Sequence, residues 1–398
     1  MIDPGTTLSP DPARADSART TIASFRGTDP RWRGDFHAVD HASCCSDDPL
    51  AALRAALARS PAREWAIALP YELGHAIEPT ASRGARPAID LWQLEPAHAA
   101  EPPPPRAWSV EGVRSLQGRC AYLEAVRRAI AYTHVGDVFQ ANIAHVLRGT
   151  FCGDVRALFD TLVRTMTPDY GALLETPSRA VLSVSPELFL SFDARSRRVI
   201  TRPIKGTRAG RARDLLDASK DRAELNMIID LMRNDLGRVC EPGSVRVETA
   251  RAVERHAGDG PGSIHHAVAQ VAGTLREGRD LVDLLRAAFP AGSITGAPKV
   301  RAMQVINELE PFERGAYCGS IGRITADGSA VFSVGIRTAT VTPCANTWSP
   351  GEPIERATID FPVGAGIVAD SDPDAEWSET LDKARAFLDA IGADGIEG

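Results

Sequence analysis

Two hydrophobic periods alternate along the chain and predict a fold that mixes helices and strands. Apolar residues recur at helical spacing over residues 110–135, 155–165, 214–236, 281–288 and 300–309. Alternating or wholly apolar runs, which predict strands, lie before a turn at Gly74 and at 138–147, 180–192 (a hairpin-like pair), 198–207, 266–273, 317–325, 330–342 and 358–368. In the strand at 138–147, Gln140 and Asn142 share one face because side chains alternate between the two faces of a strand.

The last predicted helix carries the clearest start and stop signals. Asp372 can cap its first turn, Pro373 suits its first position, and Gly392 closes it. Its predicted buried stripe consists of Leu381, Ala384, Leu388 and Ile391. A second face carries Glu376, Glu379 and Lys383. That charged face is consistent with a surface ladder of ion pairs or with a binding site.

Breaks in the pattern divide the chain into three parts. Residues 1–20 are rich in Pro, Asp, Ser, Thr and Arg without an apolar period, which predicts a mobile tail. The run Glu101-Pro-Pro-Pro-Pro-Arg106 is a stiff connector. It separates an N-terminal subregion, 21–105, expected to pack on the main fold, from a main domain at 106–398. A flexible loop is predicted at 257–263.

Composition narrows the class of protein. With 398 residues and 43% apolar content, the chain can bury a large core. A net charge of −7 argues against bulk nucleic-acid binding. No apolar run is long enough to span a membrane and no signal segment opens the chain, so a cytoplasmic location is expected. Seven scattered cysteines without a C-x-x-C pair fit reduced thiols.

A histidine and cysteine cluster near the N-terminus offers potential metal ligands. His37 and His41 are four residues apart and precede Cys44 and Cys45. The spacing of the cysteines matches no standard zinc site. A polar surface segment is therefore the favoured interpretation, and a zinc site is the alternative.

Lys205 stands between Ile204 and Gly206 in a strand-like run that also carries Arg202 and Arg208. One interpretation is a solvated cation in a basic loop. The other is a lysine whose amine is kept partly deprotonated by burial and neighbouring cations, which would make it a nucleophile.

Two glycine-rich motifs resemble nucleotide-binding loops but lack the required context. Gly364 and Gly366 match the dinucleotide fingerprint, yet the next helix begins only after Asp372, too late to receive a pyrophosphate. The run 292–299 departs from the P-loop pattern at Pro298. These glycines can still present backbone N–H groups to an anion. Together with Arg337, which can grip a carboxylate, they predict a pocket for a small molecule with several negative charges.

Two glutamates on separate predicted helices, Glu224 and Glu379, are hard oxygen donors. Such donors suit Mg²⁺, with water and a substrate carboxylate completing its coordination. The spacing of the two residues alone does not establish the site.

Seven motifs occur in the order found in one enzyme family. They are Gly136-Asp-Val-Phe-Gln140, Ser185-Pro-Glu187, Pro203-Ile-Lys-Gly-Thr207, Asp221-Arg-Ala-Glu224, Asp230-Leu-Met-Arg-Asn-Asp235, Phe289-Pro-Ala-Gly-Ser-Ile-Thr-Gly-Ala-Pro-Lys299, and Gly364-Ala-Gly-Ile-Val368 with Glu376-Trp-Ser-Glu379. The chain resembles the chorismate-utilising enzymes, and most closely the synthase components of aminodeoxychorismate synthases. The resemblance is strong over residues 115–392. It implies an α+β fold of large, mostly antiparallel sheets packed face to face and flanked by helices, the α/β sandwich of anthranilate synthase component I.

Two positions distinguish the members of this family. Where isochorismate and salicylate synthases have a water-activating lysine, this chain has Gln140. Where anthranilate synthases typically have alanine, it has Lys205. The resemblance therefore implies amination of chorismate at C4, to give 4-amino-4-deoxychorismate for 4-aminobenzoate and folate biosynthesis.

The resemblance also implies roles for individual residues. Lys205 would be the nucleophile and Glu187 the general acid, with His266 near the leaving hydroxyl group. Mg²⁺ would be held by Glu224 and Glu379, with Glu376 acting through water. The implied substrate-binding residues are Gln140, Ser293, Thr295, Tyr317, Arg337, Gly364, Gly366 and Lys383.

The chain has no nucleophilic cysteine in a glutamine-amidotransferase setting, so a separate glutaminase subunit is the expected source of ammonia. Two alternatives stay open at this point. One is anthranilate synthase component I, and the other is a chorismate-binding regulatory subunit without catalytic activity. The presence of Glu187, Lys205, Glu224 and Glu379 argues against the second, because a binder needs neither an acid nor a nucleophile.

Overall fold

The structure is a computed structural model that describes residues 21–81, 87–96, 106–209, 219–257, 264–345, 348–393 and 396. The predicted tail at 1–20, the prolines of the connector at 101–105 and most of the predicted loop at 257–263 lie outside the described residues. The division into an N-terminal subregion and a main domain stays a prediction. Among the described helices, none combines the length and apolar character needed to cross a membrane.

Strands make up the centre of the molecule, and every described pairing between them is antiparallel. The strands are β1 Thr21–Gly27, β2 Gly34–Cys45, β3 Glu64–Leu69, β4 Ala88–Pro96, β5 Trp108–Ser115, β6 Gln140–Gly153, β7 Tyr170–Thr176, β8 Arg179–Ser185, β9 Leu188–Phe192, β10 Arg198–Arg202, β11 Ile204–Ala209, β12 Arg246–Ala257, β13 Ile264–Thr274, β14 Gly296–Ala297, β15 Ser320–Ile324, β16 Ala330–Val334, β17 Thr338–Pro343 and β18 Ile354–Ile367.

Helices flank these strands. They are α1 Pro49–Arg59, α2 Leu73–Ile77, α3 Gly118–His134, α4 Val155–Met166, α5 Ser219–Gly237, α6 Leu281–Ala288, α7 Lys299–Leu309 and α8 Pro373–Ala390. Short 3₁₀ turns lie at Pro30–Trp32, Pro79–Ala81 and Gly292–Ile294.

The strand pairings form one continuous ladder. Its order is β5-β6-β18-β17-β8-β7-β1-β2-β4-β3-β15-β16-β9-β10-β13-β12, while β14 pairs with the start of β6 and β11 pairs with β13 beside β10. The first four strands of the chain therefore join the same sheet as the later ones.

This sheet folds over so that two halves pack face to face. Phe25, Trp32 and Trp92 lie in the apolar layer between the halves, together with residues of β7, β15 and β16. On one outer face, α4 and α8 cover β6, β8, β17 and β18. On the other, α3, α5, α6 and α7 pack against strands that include β3, β9 and β13. The arrangement confirms the predicted antiparallel sheets, packed face to face and flanked by helices.

The elements with complete local signals agree with the sequence prediction. The helix at 281–288 begins and ends where the apolar period does. In the last helix Asp372 accepts a hydrogen bond from the Ala375 N–H, and Pro373 is the first helical residue. These elements were predictable because their caps and their apolar stripes give the same boundaries.

Other predictions were wrong in type or pairing. Residues 108–115 form a strand rather than the start of a helix, because β6 supplies them with a pairing partner. The two strands at 180–192 are not a hairpin: β8 pairs with β7 and β17, and β9 with β10 and β16. Both are buried on both faces, and continuous apolar character marks burial rather than mutual pairing.

Three further segments differ from the prediction. Gly74 lies inside the short helix α2, where a Cβ would come 2.7 Å from Pro290 Cδ. The segment with His37 and His41, predicted as a polar surface segment, forms the strand β2, in which only Phe36 is buried. The run 330–342 is two strands, interrupted before Thr338 where Arg337 has φ +50°. β12 was not predicted, because none of its residues from 246 to 254 is buried and its sequence lacks a regular alternation of apolar and polar residues.

A buried ion pair connects the N-terminal region to β6. The Arg314 guanidinium donates to both carboxylate oxygens of Glu310 and, at 2.6 Å, to the carbonyl of Asn142. Glu310 also accepts a hydrogen bond of 2.8 Å from the Ala144 N–H. The backbone N–H groups of Arg314 and Gly315 donate to Glu72. One cluster of charges thus holds the loop after α7 against β6 and against the segment after β3.

We expect Arg314→Leu to lower the free energy of unfolding by about 3–5 kcal/mol, because it leaves the buried Glu310 carboxylate without its cation. Urea denaturation followed by circular dichroism measures the change. Arg26→Leu is the matched control, since the Arg26–Asp35 pair is exposed and should contribute about 1 kcal/mol or less. Equal losses in the two variants would contradict the structural importance assigned to the buried pair.

Candidate active site

The candidate residues converge on the start of β6 and the end of β18. These strands pair so that Gly364 lies opposite Ala144 and Gly366 opposite Asn142. On its other edge the first residue of β6, Gln140, pairs with Ala297 of β14. The Asn142 N–H donates to the Thr295 carbonyl at 2.9 Å. The loop at 289–298 is therefore fixed to the strand that carries Gln140.

A first cluster forms around one oxygen of Glu224. The Gln140 amide nitrogen lies 3.4 Å and the Lys205 ammonium nitrogen 3.5 Å from Glu224 Oε2. A Cβ at Gly366 would overlap the Gln140 amide nitrogen and lie 3.3 Å from Lys205 Nζ. The absence of a side chain at Gly366 therefore leaves room for the ends of Gln140 and Lys205.

Lys205 is not the solvated cation of the simpler interpretation. Its side chain is 16% exposed and that of Glu224 is 17% exposed. Gly206 next to it has φ +82°, a backbone conformation that favours glycine. β11 thus turns Lys205 towards the helix α5, which carries Glu224.

Glu187 lies in the connection between β8 and β9 and is 3% exposed. Burial raises the pKa of its carboxyl group to about 7, although the Ser293 hydroxyl, the Ile204 N–H and the charge of Lys205 act in the opposite direction. These neighbours place Glu187 beside the Lys205 cluster and the loop at 292–295. A carboxylic acid that titrates near neutral pH can donate a proton in catalysis.

A second cluster forms around Gly364. The Lys383 ammonium group donates to the Gly364 carbonyl at 2.9 Å and lies 2.7 Å from Glu379 Oε1. A Cβ at Gly364 would lie 2.9 Å from the Tyr317 hydroxyl oxygen. Burial raises the pKa of Tyr317 well above its usual value, so the hydroxyl group stays a hydrogen-bond donor. Gly364 and Gly366 share one face of β18, about 7 Å apart, which brings the two clusters to adjoining positions.

Arg337 lies between β16 and β17 rather than within a strand. Burial lowers the pKa of its guanidinium group to about 10. Within the described part of the chain its side chain makes no hydrogen bond or ion pair, so the structure does not join it to either cluster. A buried cation of this kind is a favourable site for an anionic ligand.

The remaining predicted residues have more limited evidence. His266 is buried on β13, where its backbone pairs with Thr207, two residues from Lys205. The Thr295 hydroxyl donates to the carbonyls of Ala291 and Gly292. Thr295 therefore uses its only hydroxyl proton to hold the loop, while its carbonyl receives the Asn142 N–H.

Three carboxylates were predicted to hold Mg²⁺, and their donor chemistry fits it. Glu224 and Glu379 reach the adjoining clusters from two different helices, and the buried Glu376 accepts a hydrogen bond of 2.6 Å from Ser371. In the described part of the chain no three His, Cys, Asp or Glu side chains are grouped closely enough to hold a metal ion. Since Mg²⁺ often takes only one or two protein carboxylates, the two glutamates remain suitable ligands.

Several residues that support the site could not be identified from the sequence. Lys299, in the motif that resembles a P-loop, is buried and donates to Asp235 at 2.6 Å and to the Ala288 carbonyl at 2.7 Å. It therefore fastens the loop at 289–298 to α5 instead of binding phosphate. His145 lies within the strand predicted at 138–147 and contacts the helix that carries Glu376 and Glu379. The sequence pattern offered no signal for either pairing, because each joins distant segments.

The chain is similar to several known proteins. A family model described as chorismate binding enzyme matches residues 75–389. Over 284 residues the chain is 42% identical to aminodeoxychorismate synthase component 1 of Salmonella typhimurium, an alignment that covers 69% of this chain and 58% of that protein. Over 285 residues it is 41% identical to an anthranilate synthase component 1 of Haloarcula marismortui, covering 69% of this chain and 54% of that protein. The match thus spans little more than half the length of these relatives.

The solved anthranilate synthase component I of Streptococcus pneumoniae shares the fold, with a TM-score of 0.71 and 22% identity over 96% of this chain and 94% of that chain. The predicted sandwich architecture is confirmed by this likeness.

Burial of Glu187 predicts a pH-dependent difference between the wild-type chain and Glu187→Gln. The folded chain keeps the carboxyl proton up to pH about 7, whereas the unfolded chain releases it near pH 4.5, so the wild type loses stability as pH rises through this window. Relative to the glutamine variant, the loss should approach about 3 kcal/mol. Urea denaturation at a series of pH values measures it. Glu124→Gln, at an exposed position, should show no such trend, and a pH-independent difference for Glu187→Gln would contradict the assignment.

Proposed function

Because the chain belongs to the family of chorismate binding enzymes, we propose that it is the synthase component of an aminodeoxychorismate synthase. In this proposal it converts chorismate and ammonia to 4-amino-4-deoxychorismate and water. The observation that carries the proposal is that the candidate nucleophile and the candidate acid lie side by side: Lys205 faces Glu224 and Gln140, and the buried Glu187 lies beside it.

The chemistry proceeds in two displacements. The neutral Lys205 amine adds to C2 of the ring, the double bonds shift, and the bond from C4 to its hydroxyl oxygen breaks. Glu187 donates its proton to that oxygen, which leaves as water. Ammonia then attacks C4, the double bonds shift back, and the bond between C2 and the lysine nitrogen breaks. The surplus proton of the new amine returns to Glu187, so both residues end in their initial states.

Glu224 and Glu379, with Glu376 acting through water, would hold Mg²⁺. When bound, this ion would neutralise the ring carboxylate and draw electrons from the ring. Because Glu224 Oε2 lies 3.5 Å from the Lys205 nitrogen, a cation held by Glu224 would lie next to the proposed nucleophile. Release of Glu379 from Lys383 would free the second ligand.

The other chemistry proposed for the site is recognition of negative charge. Arg337, Tyr317 and Lys383 would bind the substrate carboxylates together with the backbone at Gly364 and Gly366. Arg337 is suited to this because it is a buried cation whose fork of donors fits a carboxylate. Ser293 would contact Glu187, and His266 would lie near the departing hydroxyl group.

Ammonia would come from a separate glutaminase subunit. The name of the Salmonella relative, component 1, supports a protein that works with a second component. In an activity assay, added ammonium salt should replace the glutaminase subunit, because the proposed attack at C4 needs only the ammonia in equilibrium with ammonium.

Anthranilate synthase component I is the second candidate, because a relative of that name is 41% identical to this chain. The two activities aminate different ring carbons. Lys205 favours amination at C4. A lysine can form a covalent intermediate at C2, from which ammonia displaces the lysine by attack at C4.

Product analysis decides between the two activities. The purified chain incubated with chorismate, Mg²⁺ and ammonium should give 4-amino-4-deoxychorismate by chromatography and mass spectrometry, and added lyase should convert it to 4-aminobenzoate. Anthranilate would instead support the second candidate. Absence of both products, with chorismate still bound, would overturn the proposal in favour of a regulatory subunit.

Variants of the two central residues test the mechanism. Glu187→Gln should lower kcat by about 10²–10⁴-fold, the usual contribution of a general acid. Lys205→Ala and Lys205→Arg should both strongly slow turnover while chorismate still binds, because arginine keeps the charge but not the nucleophile. Arg202→Ala, which removes a neighbouring cation paired with Glu254, is the control. Normal turnover in Lys205→Arg would exclude the covalent step.

A further inference from the structure

His145 lies in the middle of β6, fully buried, between the sheet and the last helix. Its ring stacks on Trp377 with 4.5 Å between ring centroids and an interplanar angle of 26°. Tyr122 of α3 meets the edge of the same ring at 5.0 Å and also contacts Trp377. Three rings from β6, α3 and α8 thus form one packed group.

The donor and the acceptor of each His145 hydrogen bond can be assigned. Its Nε2 lies 2.9 Å from the Thr380 hydroxyl oxygen, and that hydroxyl group donates to the Trp377 carbonyl at 2.7 Å. Because Thr380 has only one hydroxyl proton, His145 Nε2 must carry a proton and donate it to Thr380. Nδ1 can then accept from Ser115 Oγ at 3.1 Å. Every proton in the series of hydrogen bonds from Ser115 through His145 to Thr380 is therefore assigned.

These contacts lie beside the candidate ligands on both elements. On α8, Trp377 follows Glu376 and Thr380 follows Glu379. On the sheet, His145 pairs with Val363, the residue before Gly364. A shift of α8 along its axis would break the ring stack and the Thr380 bond together. The same shift would move both glutamates and Lys383 relative to Gly364 and Gly366.

We propose that His145 is a positioning residue that fixes the helix carrying Glu376, Glu379 and Lys383 in register with the strands carrying Gln140, Gly364 and Gly366. The ligands that depend on this register are a divalent cation and the substrate carboxylate. This inference rests on the proposed function for the identity of those ligands. The packing of the helix itself rests only on the contacts of His145.

Three variants separate the parts of the contact. His145→Gln keeps an amide N–H that can donate to Thr380, His145→Leu removes both hydrogen bonds, and Thr380→Val removes the hydroxyl group that accepts the bond. Thr161→Val is the matched control, because the Thr161 hydroxyl likewise donates to a carbonyl one turn back, that of Ala157. It lies on α4, which carries none of the candidate site residues.

Mg²⁺ binding to the full chain, measured by calorimetry with and without chorismate, is the first readout. His145→Leu should raise the Kd for Mg²⁺ by about 10–100-fold, as loss of a residue that orients metal ligands typically does. His145→Gln should bind Mg²⁺ more tightly than His145→Leu. The double variant with His145→Leu and Thr380→Val should bind Mg²⁺ no more weakly than His145→Leu alone. The control should match the wild type in Mg²⁺ affinity even where its Tm falls.

Hydrogen exchange followed by mass spectrometry is the second readout. Residues 373–390 should exchange faster in His145→Leu, whereas Thr161→Val should affect only 155–166. An unchanged Kd for Mg²⁺ in His145→Leu, or unchanged exchange in α8, would overturn the proposal. If the wild-type chain binds neither Mg²⁺ nor chorismate, the proposed function fails, while the exchange measurement still decides whether His145 holds the helix.

Discussion

The antiparallel pairing of β6 with β18 is the constraint on which the rest of the site depends. It sets Gly364 and Gly366 opposite Ala144 and Asn142, and it leaves space above two glycines where any side chain would overlap Gln140 or approach the Tyr317 hydroxyl group. The Lys205 and Glu224 cluster and the Lys383 and Glu379 cluster lie at adjoining positions along β18, at Gly366 and Gly364 respectively. A shift of one residue in the register would turn every second side chain to the opposite face of the sheet, so both clusters depend on the same ladder.

Burial gives the site its electrostatic character. Glu187 loses most of its contact with water, and this raises its pKa to about 7 even though the charge of Lys205 and two hydrogen bonds favour the ionised form. The same cost of burial acts on Arg337, whose pKa falls to about 10. An acid that keeps its proton near neutral pH and a buried cation are suited to an anionic substrate that must lose a hydroxyl group.

Buried polar contacts hold the surrounding loops and helices in place. Arg314 connects Glu310 to β6, Lys299 connects Asp235 to the loop before α7, and His145 connects β6 to α8. Each contact joins segments that are far apart in sequence. Because a buried charged or polar group is costly without its partner, these pairs favour one arrangement of the chain around the pocket. The precise placement of the candidate residues is thus a property of the whole sandwich.

The sequence by itself determined the elements whose signals are local. Helical period and caps defined α6 and α8, and ordered motifs identified Lys205, Glu187 and Glu224 as members of one site. It could not determine that β8 and β9 pair with different neighbours, that 108–115 is a strand, or that Lys299 and His145 fasten distant elements. Those outcomes depend on which segments meet after folding. Strand pairing, burial and the resulting pKa values arise from contacts between segments that no local window of sequence contains.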